Sequence, residues 1–263
     1  MIELKAKDYS QATALLKQVP FNTWFAQAVL QRLSPGRVFV DQLEHPEACY
    51  IQSAYGMSLL CGESHTPEFL EALTGYLRNE HKQRVEREWL QVYPDSWNVL
   101  LRRLAEDGPI EENTRVNFTF NRTFFQSLVD QSSSSGQCEI VAINEKLYHE
   151  FDGSVVPRRF WRNADQFVAE GAGFCVLEQG RPVSVAFSAY RVENYLEIGI
   201  ETVKEAQGKG FAIQASIALI QYCLEHHLEP VWACRRGNEG SYQLARKLGF
   251  VPTLCIPYYL LKP

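Results

Sequence analysis

The segment Val203–Ala212, V-K-E-A-Q-G-K-G-F-A, joins a strand-like run, Tyr195–Val203, to an apolar helical run from about Phe211 to Leu228. A glycine-rich turn that opens a helix leaves the first N–H groups without intrahelical acceptors, aimed outward at the positive end of the dipole. Such a turn is an anion site, most often for phosphate. Gly208 and Gly210 let the backbone approach a diphosphate with no Cβ in the way, Ala212 keeps the first turn close, and Lys209 adds a cation. Two other phosphate loops are excluded. A Walker loop needs Ser or Thr where Gly210 stands, and the G-x-G-x-x-G fingerprint is absent. A plain strand-to-helix turn could carry the same residues, so the loop needs a second witness.

Asn238–Phe250, N-E-G-S-Y-Q-L-A-R-K-L-G-F, supplies it, preceded by the strand-like Pro230–Cys234. Asn238 suits an N-cap, Gly249 a C′ position, and Leu244, Ala245 and Leu248 recur at helical spacing. Gln207-x-x-Gly210-x-Ala212 followed about 30 residues later by Asn238-x-x-Ser241 resembles the GCN5-related N-acetyltransferase (GNAT) family. The resemblance implies acetyl-CoA as cosubstrate, no metal, and the amine of a small molecule as acceptor. It implies that Gln207, Gly208, Lys209, Gly210, Phe211 and Ala212 hold the diphosphate, with Asn238 and Ser241 at the pantetheine or phosphate region. The backbone of Thr202 and Val203 would face the thioester and donate to the oxyanion. The run E-I-G-I-E-T (Glu197–Thr202) is similar to the zwittermicin A resistance type of acetyltransferase, whose acceptor is a small polar amine.

Acetyl transfer to an amine needs positioning, a proton acceptor and an oxyanion donor. Glu201, which lies nearer the loop, is the first candidate base and Glu197 the second. Both share a strand face with Gly199 and Val203, opposite the apolar Leu196, Ile198 and Ile200. Four residues of strand put them about 13 Å apart, too far for one dyad. Exposed carboxylates on a solvated face are the competing reading. Many family members carry a Tyr acid where this chain has Ala245; Tyr242, one turn away, is given no catalytic role.

The 263 residues suit two ordinary domains, and 46% hydrophobic content suffices for buried cores. Net charge is −5 with no basic tract, which argues against nucleic acid. Seven cysteines in mostly apolar runs, no apolar N-terminal core and no run near ~20 apolar residues predict a cytoplasmic protein without a membrane segment. Cys223, His226 and His227 belong to an apolar helix and its end, so no metal site is expected.

Gln131–Gln137, Q-S-S-S-S-G-Q, reads as a linker between domains 1–130 and 138–263. The second half runs β-α-α-β-β-β-α-β-α-β, the GNAT order: a mixed, mostly antiparallel sheet flanked by helices in an α/β (α+β) class. Strands near Arg37–Asp41, Ala48–Ser53, Met57–Cys61, Glu88–Tyr93 and Arg115–Asn121 and helices after Asp8, Thr66 and Asp95 repeat that order in the first half. There the strand-to-helix turn is G-E-S-H-T (Gly62–Thr66), whose Glu63 repels anions, so the first half is expected to be a divergent, motif-free copy. An unrelated α/β cap is the alternative for that half. Two other activities remain open: a non-catalytic acetyl-CoA sensor, and an aminoacyl transferase built from tandem copies of the fold.

Overall fold

The computed structural model describes residues 1–131 and 138–263. Positions 132–137 of the expected linker lie outside the described residues.

In chain order the strands and helices are β1 (Ile2–Glu3), α1 (Thr13–Leu16), α2 (Trp24–Leu30), β2 (Gly36–Val40), β3 (Ala48–Ser53), β4 (Met57–Gly62), α3 (Pro67–Leu77), β5 (Glu88–Tyr93), α4 (Ser96–Ala105), β6 (Ile110–Phe120) and α5 (Arg122–Gln131). They continue as β7 (Glu139–Ala142), α6 (Glu145–Glu150), α7 (Ala164–Glu170), β8 (Gly173–Glu178), β9 (Arg181–Val192), β10 (Tyr195–Thr202), α8 (Phe211–Glu225), β11 (Glu229–Val231), β12 (Ala233–Arg235), α9 (Glu239–Lys247) and β13 (Phe250–Leu261). One sheet has the order β1-β2-β3-β4-β5-β13-β6-β12 and the other β11-β10-β9-β8-β7.

Two compact units result, and they do not follow the expected boundary: Leu254–Pro263 and Arg235–Gly237 join the unit built on Met1–Val116. The last strand is drawn there by its apolar end. Tyr259 and Leu261 are fully buried beside Leu60, Leu73, Leu90 and Leu101, with Tyr259–Leu261 paired antiparallel to Glu88–Leu90. In this unit β3 and β4 are antiparallel, and α3 carries the chain from β4 to a parallel β5.

The second unit, Asn117–Cys234 with Asn238–Thr253, repeats that path. Antiparallel β9 and β10 precede α8, which crosses to a parallel β11. Both sheet faces are covered. Phe211, Ala215, Leu219, Ile220 and Cys223 bury one side of α8. On the opposite face Phe160 meets Phe187 and Tyr190 with ring centroids 5.4 Å apart in each pair, and Trp161 donates Nε1–H to the Ser188 carbonyl at 2.7 Å.

Most element boundaries fall within a few residues of expectation, but α2 was not expected and β6 begins five residues early, and four further differences stand out. Asp8 and Gln11 form no capping box; Ala6–Ala12 is a 3₁₀ helix with no side-chain cap bond. The strand expected at Pro230–Cys234 breaks at Trp232 into β11 and β12. The last strand starts at Phe250 rather than near Pro257. Helix α5 was hidden because Asn121 reads as the end of β6, yet its Oδ1 accepts the Phe124 N–H at 3.0 Å, as an N-cap does.

Candidate active site

Strand β10 pairs with β11 only from Tyr195 to Glu197, whereas its antiparallel pairing with β9 continues to Thr202. Beyond Glu197 its outer edge has no strand partner among the described residues of this unit. Which groups point there follows from ladder alternation. Val203 N–H donates inward to the Val183 carbonyl at 3.0 Å, and odd-numbered residues share that direction. The amides and carbonyls of Ile198, Ile200 and Thr202 therefore face the open edge. Consistent with this, the Thr202 carbonyl accepts from Gln207 Nε2 at 3.3 Å. Of the two residues expected at the thioester, Thr202 has the outward-facing amide, and the Val203 N–H is taken up by Val183.

The Gly-rich turn begins where this edge ends. Gly208 and Gly210 have φ of +79° and +84°, a region that favours glycine, and a Cβ on either would meet nothing within 4 Å. The space above both is open, as a bound diphosphate requires. Gly210 is the N-cap of the 15-residue α8, and the first amide to bond back is Gln214, to the Gly210 carbonyl at 3.3 Å. The amides of Phe211, Ala212 and Ile213 thus precede the first helical bond. Phe211 is buried and anchors the turn, while Lys209 is held by Glu178 at 3.0 and 3.1 Å, its Nζ 5.9 Å from the Phe211 ring centroid. A ligand anion has to compete with Glu178 for that cation.

Asn238 is the exposed N-cap of α9, its Oδ1 accepting the Ser241 N–H at 3.2 Å. Ser241 Oγ accepts Nε1–H of Trp232 at 3.1 Å, tying the start of α9 to the break between β11 and β12. The cap role expected of Asn238 is present; a ligand role for either residue uses what remains, the Asn238 amide group and the Ser241 hydroxyl proton. Ala245 is fully buried, so that position presents no side chain to a ligand. Tyr242 packs its ring on Phe118, centroids 5.6 Å apart.

The carboxylates do not sit on a solvated face. Their side of β10 is covered by the segment from α6 through α7, because this sheet has two layers against it. Glu197 is 6% exposed, opposite Tyr190 in the ladder. Gly199, next on that face, abuts the Phe187 ring. Glu201 Oε2 accepts three hydrogen bonds: from Ser154 N–H at 2.9 Å, Ser154 Oγ at 3.0 Å and Val155 N–H at 2.8 Å. Sequence reasoning missed Ser154 and Val155; D-G-S-V-V reads only as a turn. The register shift beside Glu197 comes from an extra residue in β9: Glu197 faces Tyr190 and Ile198 faces Ser188, leaving Ala189 between. The bulge lies on the partner strand, so the odd-even division of β10 survives.

Burial pushes the Cys175 and Cys223 thiols up to about 12, which suits core residues rather than nucleophiles. Among the described residues no group of three or more His, Cys, Asp or Glu side chains could hold a metal ion, and no helix is long and apolar enough to cross a membrane.

The chain matches the GNAT acetyltransferase family over residues 13–259. It is 27% identical over 259 residues to YdfB, an uncharacterised N-acetyltransferase of Bacillus subtilis (strain 168), with 94% of each chain covered. Among solved structures, a GCN5-related N-acetyltransferase-like protein from Streptococcus suis superposes with a TM-score of 0.72 at 22% identity, covering 97% of this chain and 98% of that one. A tandem GNAT protein from the clavulanic acid biosynthesis pathway matches with a TM-score of 0.59 at 10% identity, covering 98% and 97%. An open strand edge that runs into a glycine turn at a helix N-terminus, in a chain matched almost end to end, places this protein in the GNAT acetyltransferase family.

Proposed function

We propose that this protein moves an acetyl group from acetyl-CoA to the amine of a small polar molecule, directly, within a ternary complex. One observation carries the reading: the outer edge of β10 ends at a turn whose two left-handed glycines leave clear space before the α8 amides. When bound, acetyl-CoA supplies an activated thioester. The amides of Phe211, Ala212 and Ile213 suit its diphosphate, and the outward edge of Ile198, Ile200 and Thr202 suits its amide-bearing arm. An outward N–H at Ile200 or Thr202 can donate to the thioester carbonyl.

For the proton of the amine we now prefer Glu197 over Glu201 as the base, set in a low-dielectric strand position. Glu201, the other candidate, has one oxygen committed to three donors. The net charge of −5 suits a cationic acceptor, in keeping with the zwittermicin-type resemblance of Glu197–Thr202. It fits poorly with an aminoacyl transferase that must hold RNA.

A second reading, an acetyl-CoA sensor, draws support from the fully buried Ala245 at the usual place of the Tyr acid. Free thiol released from acetyl-CoA in the presence of tyramine, spermidine or kanamycin separates the two. We expect amine-dependent release that falls about a hundredfold in Glu197→Gln. Binding of acetyl-CoA without release across the panel would favour the sensor.

A further inference from the structure

The segment from Phe151 to Val156 crosses the helix-covered face of β10 as a strap with two buried ends, Phe151 and Val156, and two polar fastenings. At its stem Arg158 donates to the carbonyls of His149 and Phe151 and pairs with Asp152 Oδ1 at 2.7 Å. At its tip the fastening is Glu201 alone among the bonds seen there: two backbone N–H groups and one hydroxyl converge on Oε2 within 3.0 Å. The fit is close, since a Cβ on Gly153 would lie 2.6 Å from Glu201 Cγ.

We infer that Glu201 is a positioning residue: it holds the strap tip, with Ser154 foremost, as the wall against which the acceptor amine is placed. The inference rests on the acetyl-transfer reading given above. Glu201 stands between Ile200 and Thr202, whose amides face the open edge, so an acyl group aligned on that edge lies about one residue rise, ~3.3 Å, along the strand from the clamped carboxylate. On this face of the strand the strap tip is then the surface an incoming amine meets. Gly153 and Ser154 are exposed there. Ser154 gives its hydroxyl proton to Glu201, which leaves oxygen lone pairs outward, a match for an N–H donor and hence for an ammonium or amine.

A clamp and a base make opposite demands on the same group. Hydrogen bonds to an ionised acceptor are about twice as strong as neutral ones. Taking up a proton would weaken all three and release the tip at the moment the amine must be held. The effect of Glu201 on transfer therefore passes through Ser154 and Val155.

The test compares Glu201→Ala and Glu201→Gln with the parent protein by amide hydrogen exchange and by thiol release with the panel amine that reacts fastest. The stem pairing of Arg158 remains in both variants, so the strap loosens without the unit losing its core. In Glu201→Ala, exchange at Ser154 and Val155 should rise about tenfold. KM for the amine should rise about tenfold, with kcat within about threefold and the acid limb of its pH profile unmoved. Glu201→Gln, which keeps an acceptor oxygen, should recover most of the KM. Loss of kcat and of the acid limb in Glu201→Gln, with both amides still protected, would make Glu201 the base and overturn the inference. Unchanged exchange in Glu201→Ala would also overturn it, and that arm needs no turnover. A parent protein that binds acetyl-CoA yet releases no thiol would instead remove the acetyl-transfer reading, leaving the clamp to the exchange data.

Discussion

A Cβ at position 199 would sit 2.6 Å from Cζ of Phe187, the ring that fills the space between β10 and the layer carrying Phe160. Gly199 is thus required by packing, not by a turn. Gly199→Ala should destabilise the fold by about 1–3 kcal/mol through overpacking. Urea unfolding checks this, and an unchanged midpoint would contradict it. Residues of this kind separate what could be read in the sequence from what could not. Gly208, Gly210 and Asn238 were legible because each meets a local demand, left-handed backbone or a helix cap, within a few residues of its motif. The role of Glu201 was not legible, because its partners are Ser154 and Val155, 47 and 46 residues away. The burial of Glu197 was not legible either, since period-two alternation shows which face is apolar but not whether a second layer covers the other. That layer leaves Glu197 buried.

At the scale of elements, strand β13 shows where local reading stops. Its exposed first half, Val251–Cys255, and buried last half, Tyr258–Leu261, are one continuous strand. The two prolines in it, Pro252 and Pro257, hid that length, because proline removes a ladder donor. The buried half completes the first unit: Tyr259 also donates its hydroxyl to Asn98 Oδ1 at 2.8 Å. Truncation after Thr253 should therefore unfold this unit. Burying a large side chain contributes about 1.5–3 kcal/mol, and Tyr259, Leu260 and Leu261 are lost together. Calorimetric scanning should show a transition missing or lowered by about 10 °C or more. A thermogram like that of the intact chain would show that the strand is dispensable. The break at Trp232 has a comparable logic. The indole is buried and bonded to Ser241, so β11 leaves β10 where that side chain turns inward, and the edge of β10 opens.

Taken whole, the chain carries one β-β-β-α-β-α path twice, and the Gly-rich turn stands in the second copy. In the first unit β4 and β5 are zipped together from Met57–Trp89 to Cys61–Tyr93, five pairs against three in β10–β11. The turn after β4 is tied to the start of α4: Trp97 donates Nε1–H to the Gly62 carbonyl at 2.7 Å, and Glu63 accepts from Ser96 Oγ at 3.0 Å. The β4 edge is closed by β5, and the turn carries the acidic Glu63 where the second unit has its glycines. The β-β-β-α-β-α order in both halves was legible from periodicity and turn residues, whereas α2 and α5 were not. The assignment of Leu254–Pro263 to the first unit was not, since a strand's sequence does not name the sheet it joins.

The central claim is that the turn at 207–212 grips the diphosphate of acetyl-CoA, and titration calorimetry of acetyl-CoA into the parent protein and Gly210→Glu tests it most directly. A glutamate there has room, costs about 1–2 kcal/mol of backbone strain, and sets a carboxylate in the anion's place. The parent protein should show a single site per chain, and the variant no measurable binding while still unfolding cooperatively. Equal affinity in the two proteins would contradict it.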